Sequence, residues 1–272
     1  MNIKAKKIIT IFVCLLTITL CTGFQFFGKQ QHVENERKVL TADRTEIAIN
    51  EFKTGHKEVL IIAPGWFMCK DSKPFDKMAV DFSKDFDVIA MDFRGHCQSS
   101  GRFTFTSKEF DDLNTVIKYA RKKYKKVYVA GFSLGSATAI ITEYKYKNAD
   151  KLILVSPPTD FDEIENELWR KEAFIPTFKK FELKTWTHIL PGELWLNKVK
   201  PIDVITKISP TPILIIAGRK DPTIKVWHAK KLYKEAKEPK EIVIYHDSIH
   251  AEDIYMQNPE RFVKRCTEWL KK

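Results

Sequence analysis

The sequence has few of the residues whose abundance would by itself assign a chain to a class. Its 272 residues hold five cysteines and no Cys-x-x-Cys pair, which excludes a disulfide-rich scaffold and argues against a zinc or redox-couple site. Glycine and proline are also sparse, at 10 and 12 residues, and no fixed-period repeat is present, which excludes a collagen-like chain. The remainder is an ordinary globular composition, 44% apolar and 30% charged.

The first 28 residues differ from the rest of the chain. They contain no acidic residue, and Lys4, Lys6 and Lys7 precede an uncharged run from Ile8 to Phe27. A helix of that length reaches about 30 Å, the thickness of the hydrocarbon core of a bilayer. We therefore separate residues 1–28, an N-terminal signal anchor or signal peptide, from a globular domain at residues 29–272.

Three interpretations of this N-terminal segment compete. A signal anchor, which we favour, fits its full length and the basic residues before it. A cleaved secretory signal fits the apolar stretch, although Cys21-Thr22-Gly23 is a poor cleavage site. A lipoprotein signal would use Cys21, but Leu20 stands where a small residue is normally required. All three predict a protein that is membrane-anchored or secreted, with its domain on the outer side of the cytoplasmic membrane.

The charge balance of the domain is basic. Residues 29–272 carry a net charge of +8. The lysines are scattered and no recognition motif accompanies them, so we predict no nucleic-acid partner. A solvated surface is the simplest interpretation, and attraction to anionic lipid headgroups is the alternative.

Short apolar runs along the domain are typical of strands buried on both faces of a sheet. These runs are Val59–Ala63, Val88–Met91, Val127–Ala130, Leu152–Val155, Ile213–Ala217 and Ile242–Tyr245. Amphipathic stretches lie between them, which predicts an α/β fold with a mostly parallel central sheet and helices on both faces. Thr45–Phe52 alternates apolar and polar residues, so we expect an antiparallel edge strand there.

Other local signals predict helices and an insertion. Thr106-x-x-Glu109 is a capping-box pattern before a helical periodicity, and Asn258-Pro259 opens the last helix. Residues 157–201 show no clear strand but hold several aromatic residues among lysines. We expect a small helical cap there, inserted after the fourth buried run, Leu152–Val155.

The pentapeptide Gly131–Gly135 has the pattern Gly-x-Ser-x-Gly. It follows the predicted strand Val127–Ala130 and precedes a predicted helix through Thr138–Tyr146. In a nucleophile elbow, a serine occupies a sharp strand-to-helix turn, and the flanking glycines let the backbones pass closely. The pattern and its context indicate Ser133 as a nucleophile, with an ordinary helix N-cap as the alternative.

A serine nucleophile needs a base and an acid that orients the base. For this turn type the chain order is serine, acid, histidine. Asp221 follows the run Ile213–Ala217, and His250 follows Ile242–Tyr245. Both runs would end at the same edge of a parallel sheet as Ser133. His246 lies nearer its strand and is the competing base, but His250 lies further into its loop and is preferred.

These elements together resemble the α/β-hydrolase fold family, in its serine esterase and lipase-like branch, which also includes serine aminopeptidases and monoacylglycerol lipases. The resemblance covers residues 40–272. The stretches that carry it are Ala63–Trp66, Met91–Gly101, Gly131–Gly135, Ala217–Asp221 and Ser248–Ala251. It implies Ser133 as nucleophile, His250 as general base and Asp221 as the acid, with an oxyanion hole formed by the backbone N–H groups of Leu134 and Trp66. This chain has Pro64-Gly65 where the family usually has His-Gly.

The resemblance implies a serine hydrolase, a carboxylic ester hydrolase of the carboxylesterase or lysophospholipase type. The expected partner is a small acyl ester or lipid substrate with an apolar acyl group, and no cofactor or metal is expected. The same triad could serve a thioesterase or an aminopeptidase, and a non-catalytic membrane-tethered binding protein is the alternative from another class.

Two further groups of residues beside the expected site have structural interpretations. Asp92, Arg94 and His96 are interpreted as scaffolding of a loop next to the site. Cys69 and Cys97 fall on two loops at the same edge of the expected sheet and could pair, but we favour two separate buried thiols.

Overall fold

The computed structural model describes residues 35–161, 170–173, 175 and 188–272. The strands in these ranges form one eight-stranded sheet. They are β1 (Asn35–Leu40), β2 (Glu46–Phe52), β3 (Glu58–Ala63), β4 (Asp87–Met91), β5 (Lys126–Phe132), β6 (Lys151–Val155), β7 (Ile213–Gly218) and β8 (Lys240–Tyr245). Each of the six predicted apolar runs lies in one of the strands β3 to β8, as expected.

The sheet is mostly parallel, as predicted. Its strand order is β1-β2-β4-β3-β5-β6-β7-β8. All neighbouring pairs from β4 to β8 in this order are parallel, whereas β1 with β2 and β2 with β4 are antiparallel. Six consecutive strands therefore end at one edge of the sheet, and the loops that follow them meet there.

The prediction of an edge strand at Thr45–Phe52 is wrong in one respect. The strand forms and is antiparallel, but β1 pairs along its outer side, so β2 is internal. β1 escaped detection because five of its six residues are exposed and it has no apolar alternation. Its pairing is supported by ion pairs from Arg37 to Glu51 (2.8 Å) and from Lys38 to Glu46 (2.6 Å).

Helices cover both faces of the sheet. Within the described ranges they are α1 (Lys73–Phe82), α2 (Glu109–Arg121), α3 (Leu134–Tyr146), α4 (Pro201–Val204), α5 (Val226–Glu235), α6 (Glu252–Gln257) and α7 (Pro259–Leu270), with a 3₁₀ turn at Ile205–Lys207. The apolar sides of α2, α3 and α5 belong to one core cluster, and those of α1, α6 and α7 belong to another.

Alternation along the central strands fills these two cores. In β3, Val59 and Ile61 lie in the first cluster, whereas Leu60 and Ile62 lie in the second. All four side chains are fully buried. Because both faces of the strand are covered, every position can be apolar, which explains the continuous runs in the sequence.

The two predicted helix starts have different outcomes. Asn258 caps α7 as expected, since its side chain accepts a hydrogen bond from the N–H of Arg261 at 3.0 Å. The prediction of a capping box at Thr106 and Glu109 is wrong. The Glu109 carboxylate instead accepts bonds from the N–H of Thr104 at 2.6 Å and from its hydroxyl at 2.9 Å, because residues 105 and 106 have positive φ values.

The residues predicted to form the cap, 157–201, lie between β6 and β7 in the chain. Residues 162–169, 174 and 176–187 of this range lie outside the described residues, as does the N-terminal segment 1–28. Within the described ranges, Ala173 is buried, whereas Trp195 is 79% exposed. Among the helices described, none combines the length and apolarity needed to cross a membrane.

Candidate active site

Ser133 lies at a sharp turn between β5 and α3. Its backbone has φ 51° and ψ −112°, and residues other than glycine rarely adopt a positive φ. The flanking glycines allow the close approach this turn requires. A Cβ at Gly131 would lie 2.5 Å from the carbonyl oxygen of Gly135, and one at Gly135 would lie 2.2 Å from that of Ala63. The backbone thus has the geometry of a nucleophile elbow.

Buried hydrogen bonds hold the elbow in this conformation. The N–H of Ser133 donates to the carbonyl of Val155 at 2.8 Å. The hydroxyl of Ser136, which is fully buried, shares its single proton between the carbonyl oxygens of Gly131 at 2.6 Å and Val155 at 2.8 Å. The strained residue is therefore fixed against the end of β6, as strained backbone at a site generally must be.

Asp221 and His250 are in direct contact. Nδ1 of His250 lies 2.7 Å from Oδ2 of Asp221. The other oxygen, Oδ1, accepts bonds from the N–H groups of Thr223 at 2.9 Å and Ile224 at 2.8 Å, which fixes the plane of the carboxylate. Asp221 is 4% exposed, so the pair is shielded on the acid's side. A carboxylate can only accept, so Nδ1 carries a proton and Nε2 is the basic nitrogen of the neutral ring.

The loop that carries His250 is packed tightly onto the edge of the sheet. A Cβ at Gly218 would lie 2.1 Å from the carbonyl oxygen of Ile249. The N–H of Ala251 donates to the hydroxyl of Ser156 at 3.0 Å. Because Ser156 follows Val155, the residue bonded to the elbow, a short path of contacts links the Ser133 turn to the His250 loop.

Ser156 has a structural role that the sequence analysis missed. Its φ is 48°, its N–H donates to the carbonyl of Ile216 at 2.8 Å, and its hydroxyl accepts from Ala251. It therefore joins the ends of β6 and β7 to the loop after β8. Its place directly after the buried run Leu152–Val155 was the available signal, since that is the edge where the other site residues lie.

His246, the competing base, has a different environment. It is exposed, and its Nδ1 lies 3.2 Å from the guanidinium of Arg219, a cation that cannot accept a proton. No carboxylate contact to its ring is found within the described residues. The buried acid that orients an imidazole at this edge is therefore in contact with His250.

The two backbone segments expected to carry the oxyanion donors both approach Ser133. Leu134 is the first residue of α3, so its N–H has no acceptor within the helix. The loop after β3 approaches from the other side, where a Cβ at Gly65 would lie 3.3 Å from Cβ of Ser133. Trp66 follows directly. The backbone at residues 65 and 66 therefore borders the elbow, as an oxyanion loop requires.

Arg94 fixes the loop after β4 in place. Its guanidinium contacts Asp112 through Nε at 2.9 Å and Nη2 at 2.7 Å, and Asp43 through Nη1 at 2.9 Å. Burial opposes its charge, but these carboxylates hold its pKa above the usual value. It is 3% exposed and serves as scaffolding.

Asp92 and His96 are fully buried at the same loop. Burial raises the pKa of Asp92 to about 7, against the opposing effects of the Lys70 ammonium and of backbone N–H groups. Those groups belong to Lys70 at 2.6 Å and Gln98 at 3.2 Å. Burial lowers the pKa of His96 to about 4, so the ring is neutral at neutral pH. Its Nδ1 lies 3.1 Å from the carbonyl of Arg94 and donates to it.

An aromatic cluster borders the elbow. The ring of Trp66 lies 6.3 Å from that of Phe103 and 5.6 Å from that of Phe105, and Phe105 lies 5.1 Å from Phe161. Leu134 belongs to the same apolar cluster. Trp66 and Phe105 are only partly buried, so this cluster presents apolar surface next to Ser133. Trp66, Phe103 and Phe105 precede the predicted cap in the sequence, whereas Phe161 lies within it.

The expectation of two separate thiols at Cys69 and Cys97 is wrong. The two residues form a disulfide, with Cα atoms 6.0 Å apart. Their loops meet because β3 and β4 are neighbours and end at the same edge. Together with Asp92 they also form the one group of three potential metal ligands found among the described residues, but both sulfur atoms are engaged in the bond.

The fold and a family comparison identify the class of protein. A model of the family described as the alpha/beta hydrolase fold matches residues 58–170, which include β3 to β6 and the elbow. The strand order, the elbow and the loops at one edge of the sheet agree with that match. The chain therefore has the α/β-hydrolase fold.

Individual relatives are distant. An uncharacterized protein of Escherichia coli O157:H7, YfhR, is 25% identical over 195 residues, which span 66% of this chain and 61% of that protein. The polyketide transferase ATR5 of Stachybotrys chlorohalonatus is 29% identical over only 77 residues, 28% of this chain and 26% of that protein. The chain thus spans less than two thirds of the length of the curated relatives it matches.

Solved structures agree over a longer range. The Pyrococcus furiosus esterase Pf2001 superimposes with a TM-score of 0.73 at 22% identity, covering 92% of this chain and 98% of that one. The esterase EaEST of Exiguobacterium antarcticum gives a TM-score of 0.71 at 17% identity, covering 86% and 99%. At such identities the likeness demonstrates the shared fold.

The elbow geometry predicts that Gly135 tolerates no side chain. We expect Gly135→Ala to destabilise the protein by about 1–3 kcal/mol or more, because the new carbon would lie 2.2 Å from the backbone of Ala63. Urea unfolding measures this change. Gly55→Ala is the comparison, since a Cβ there meets nothing within 4 Å and only the φ of 91° costs energy, about 1 kcal/mol. Equal stability of Gly135→Ala and the parent would contradict the described turn.

Proposed function

We propose that this protein is a serine hydrolase that cleaves carboxylic esters through an acyl-enzyme. The observation that carries the proposal is the contact between His250 and the buried Asp221, at 2.7 Å, on the same sheet edge as a serine in the elbow conformation. Each of these features occurs in structural scaffolding elsewhere. Their combination at one edge, next to a free helix N-terminus, is the arrangement that acyl transfer needs.

The first step would be attack by Ser133 on the ester carbonyl. Nε2 of His250 accepts the proton of the hydroxyl as the new C–O bond forms. The ring then carries a positive charge, which the carboxylate of Asp221 stabilises through Nδ1. Because Oδ1 of Asp221 is fixed by two backbone N–H groups, the carboxylate does not need to reorient during this step.

The charge that develops on the carbonyl oxygen would be met by the backbone N–H groups of Leu134 and Trp66. The positive end of the α3 dipole adds to this stabilisation. His250 then gives its proton to the leaving alcohol, and a water molecule, activated by the same imidazole, releases the acid from Ser133. Each backbone N–H donor to the oxyanion lowers the activation free energy by about 3 kcal/mol.

The acyl group of the substrate would lie on the aromatic cluster of Trp66, Phe103, Phe105 and Phe161. This surface is apolar and begins beside Leu134, next to the nucleophile. Each methylene that leaves water for such a surface contributes about 0.8 kcal/mol. The cluster therefore supports esters of apolar acids as substrates.

The triad proposal predicts different effects for the two histidines after β8. His250→Ala should reduce kcat/KM for a short p-nitrophenyl ester at least about a thousandfold, and Ser133→Ala should do the same, because each removes a group that acts in the chemical step. His246→Ala, the matched control, should stay within about twofold, since that ring is exposed and contacts Arg219.

A fluorophosphonate probe separates catalysis from a binding role. It should label the parent protein and His246→Ala but not Ser133→Ala. Labelling that persists in Ser133→Ala, or a parent protein that neither reacts with the probe nor hydrolyses any ester, would refute the proposal.

Acyl preference is tested with a panel of p-nitrophenyl esters. We expect kcat/KM to rise about tenfold or more from acetate to hexanoate, because four further methylenes reach the aromatic cluster. Phe105→Ala should reduce this ratio, whereas Tyr146→Ala, an exposed aromatic at the end of α3, should leave it unchanged. A flat or acetate-biased profile would contradict an apolar acyl substrate.

We also propose that the uncharged segment Ile8–Phe27 anchors the protein in the cytoplasmic membrane, with the domain on the outer side. The full chain should then remain in the membrane fraction after an alkaline carbonate wash. Leu15→Lys combined with Leu16→Lys should release it, because each charge costs about 3 kcal/mol at a helix centre. A shortened, soluble protein would indicate a cleaved signal instead.

A further inference from the structure

The disulfide joins the two loops that flank the elbow. The loop of residues 64–72 follows β3 and carries Gly65 and Trp66, whereas the loop of residues 92–108 follows β4 and carries Phe103 and Phe105. Cys69 and Cys97, 28 residues apart in the sequence, are the covalent link between them. Cys69 lies three residues after Trp66.

The first of these loops has a conformation that needs external support. Phe67 has φ 62°, a left-handed value for a bulky residue, and the turn around it is closed by a long bond of 3.3 Å from the N–H of Met68 to the carbonyl of Gly65. Strained residues of this kind persist where surrounding contacts hold them. Here the strained position is adjacent to the proposed oxyanion donor.

The second loop is a rigid anchor. Arg94 is tied to Asp112, and the hydroxyl of Ser99 donates to the carbonyl of Asp92 at 2.8 Å and accepts from the N–H of Ala48 at 2.9 Å. A Cβ at Gly95 would lie 2.3 Å from the backbone nitrogen of Phe103, so the loop is folded closely on itself. The disulfide to this loop therefore fixes the position of Cys69.

Non-covalent contacts join the same two loops beside the disulfide. The N–H of Lys70 donates to Oδ1 of Asp92 at 2.6 Å, and the buried Lys70 ammonium donates to Gln98. These bonds would keep the loops together after the disulfide is broken. The covalent link restricts the position of Cys69 more than these hydrogen bonds do. Cys69 is the member of the pair closer in sequence to Trp66.

From these contacts we propose that the Cys69–Cys97 disulfide is a positioning element, which holds the loop of residues 64–72 so that the Trp66 N–H can meet the oxyanion. The proposal rests on the function proposed above. It makes hydrolysis dependent on the redox state of the pair. A dithiol that reaches the partly exposed Cys97 would transfer two electrons and two protons, which breaks the S–S bond, leaves two thiols and closes the dithiol into its own disulfide.

The effect should fall on kcat more than on KM. A backbone donor aimed at the oxyanion stabilises the transition state, so displacement of the loop weakens catalysis without removing the surface that binds the substrate. A displacement below 1 Å costs about tenfold in rate.

The experiment compares three samples of the full chain: the oxidised parent, the parent reduced with dithiothreitol, and Cys69→Ser combined with Cys97→Ser. All assays contain EDTA, because two thiols and Asp92 could bind a metal once the bond is broken. We expect kcat to fall about tenfold in the reduced parent and in the double variant, with KM within twofold. Removal of the reductant and oxidation with diamide should restore the parent alone.

The double variant also controls for the remaining cysteines. Its activity should not respond to dithiothreitol, which would exclude effects through Cys14, Cys21 or Cys266. Near-ultraviolet circular dichroism on the same samples measures the folded fraction. A kcat that falls only in proportion to that fraction, or a reduced parent as active as the oxidised one, would overturn the positioning role.

Hydrogen exchange separates this proposal from the esterase assignment. Peptides covering residues 64–72 should exchange faster in the reduced parent and the double variant, whereas peptides from β5 should not change. Unchanged exchange in residues 64–72 would overturn the inference whatever the enzyme hydrolyses. Faster exchange of residues 64–72 on reduction, in a protein whose oxidised form is inactive on every ester, would support the loop contact and refute the proposed reaction.

Discussion

The backbone of Ser133 is the constraint on which the rest of this edge depends. A left-handed residue between a buried strand and a helix costs free energy, and it persists because glycines on both sides admit the neighbouring backbones. The same turn brings the N-terminus of α3 beside the serine side chain. The parallel strands on both sides of β5 end at the same edge of the sheet, and the loops that carry Gly65, Asp221 and His250 follow them there.

The parts of the fold that were predicted correctly are the strands marked by continuous runs of apolar residues. Strands buried on both faces have continuous apolar runs, and each such run lies in a strand of the sheet. Once the strands were known to be parallel, their carboxyl ends had to share an edge. Asp221 and His250 follow from that topology, and the structure brings them to 2.7 Å.

Features that depend on tertiary contacts were not predictable in the same way. β1 is charged and exposed, so it has no periodicity, and its pairing with β2 becomes evident only in the sheet. Glu109 matched a capping box, but the bends at residues 105 and 106 direct it to Thr104. The pairing of Cys69 with Cys97 depends on the exact meeting of two loops, which residue spacing does not specify.

The charged strand β1 has a consequence for the behaviour of the protein in concentrated solution. An open strand normally offers unpaired backbone groups on which another molecule can add a strand of its own. On β1 the side chains of Glu36, Arg37 and Lys38 are all exposed along that border. A second copy approaching there must remove water from these charged side chains before any backbone hydrogen bond can form. The outermost strand therefore protects the buried sheet behind it from growing into an aggregate.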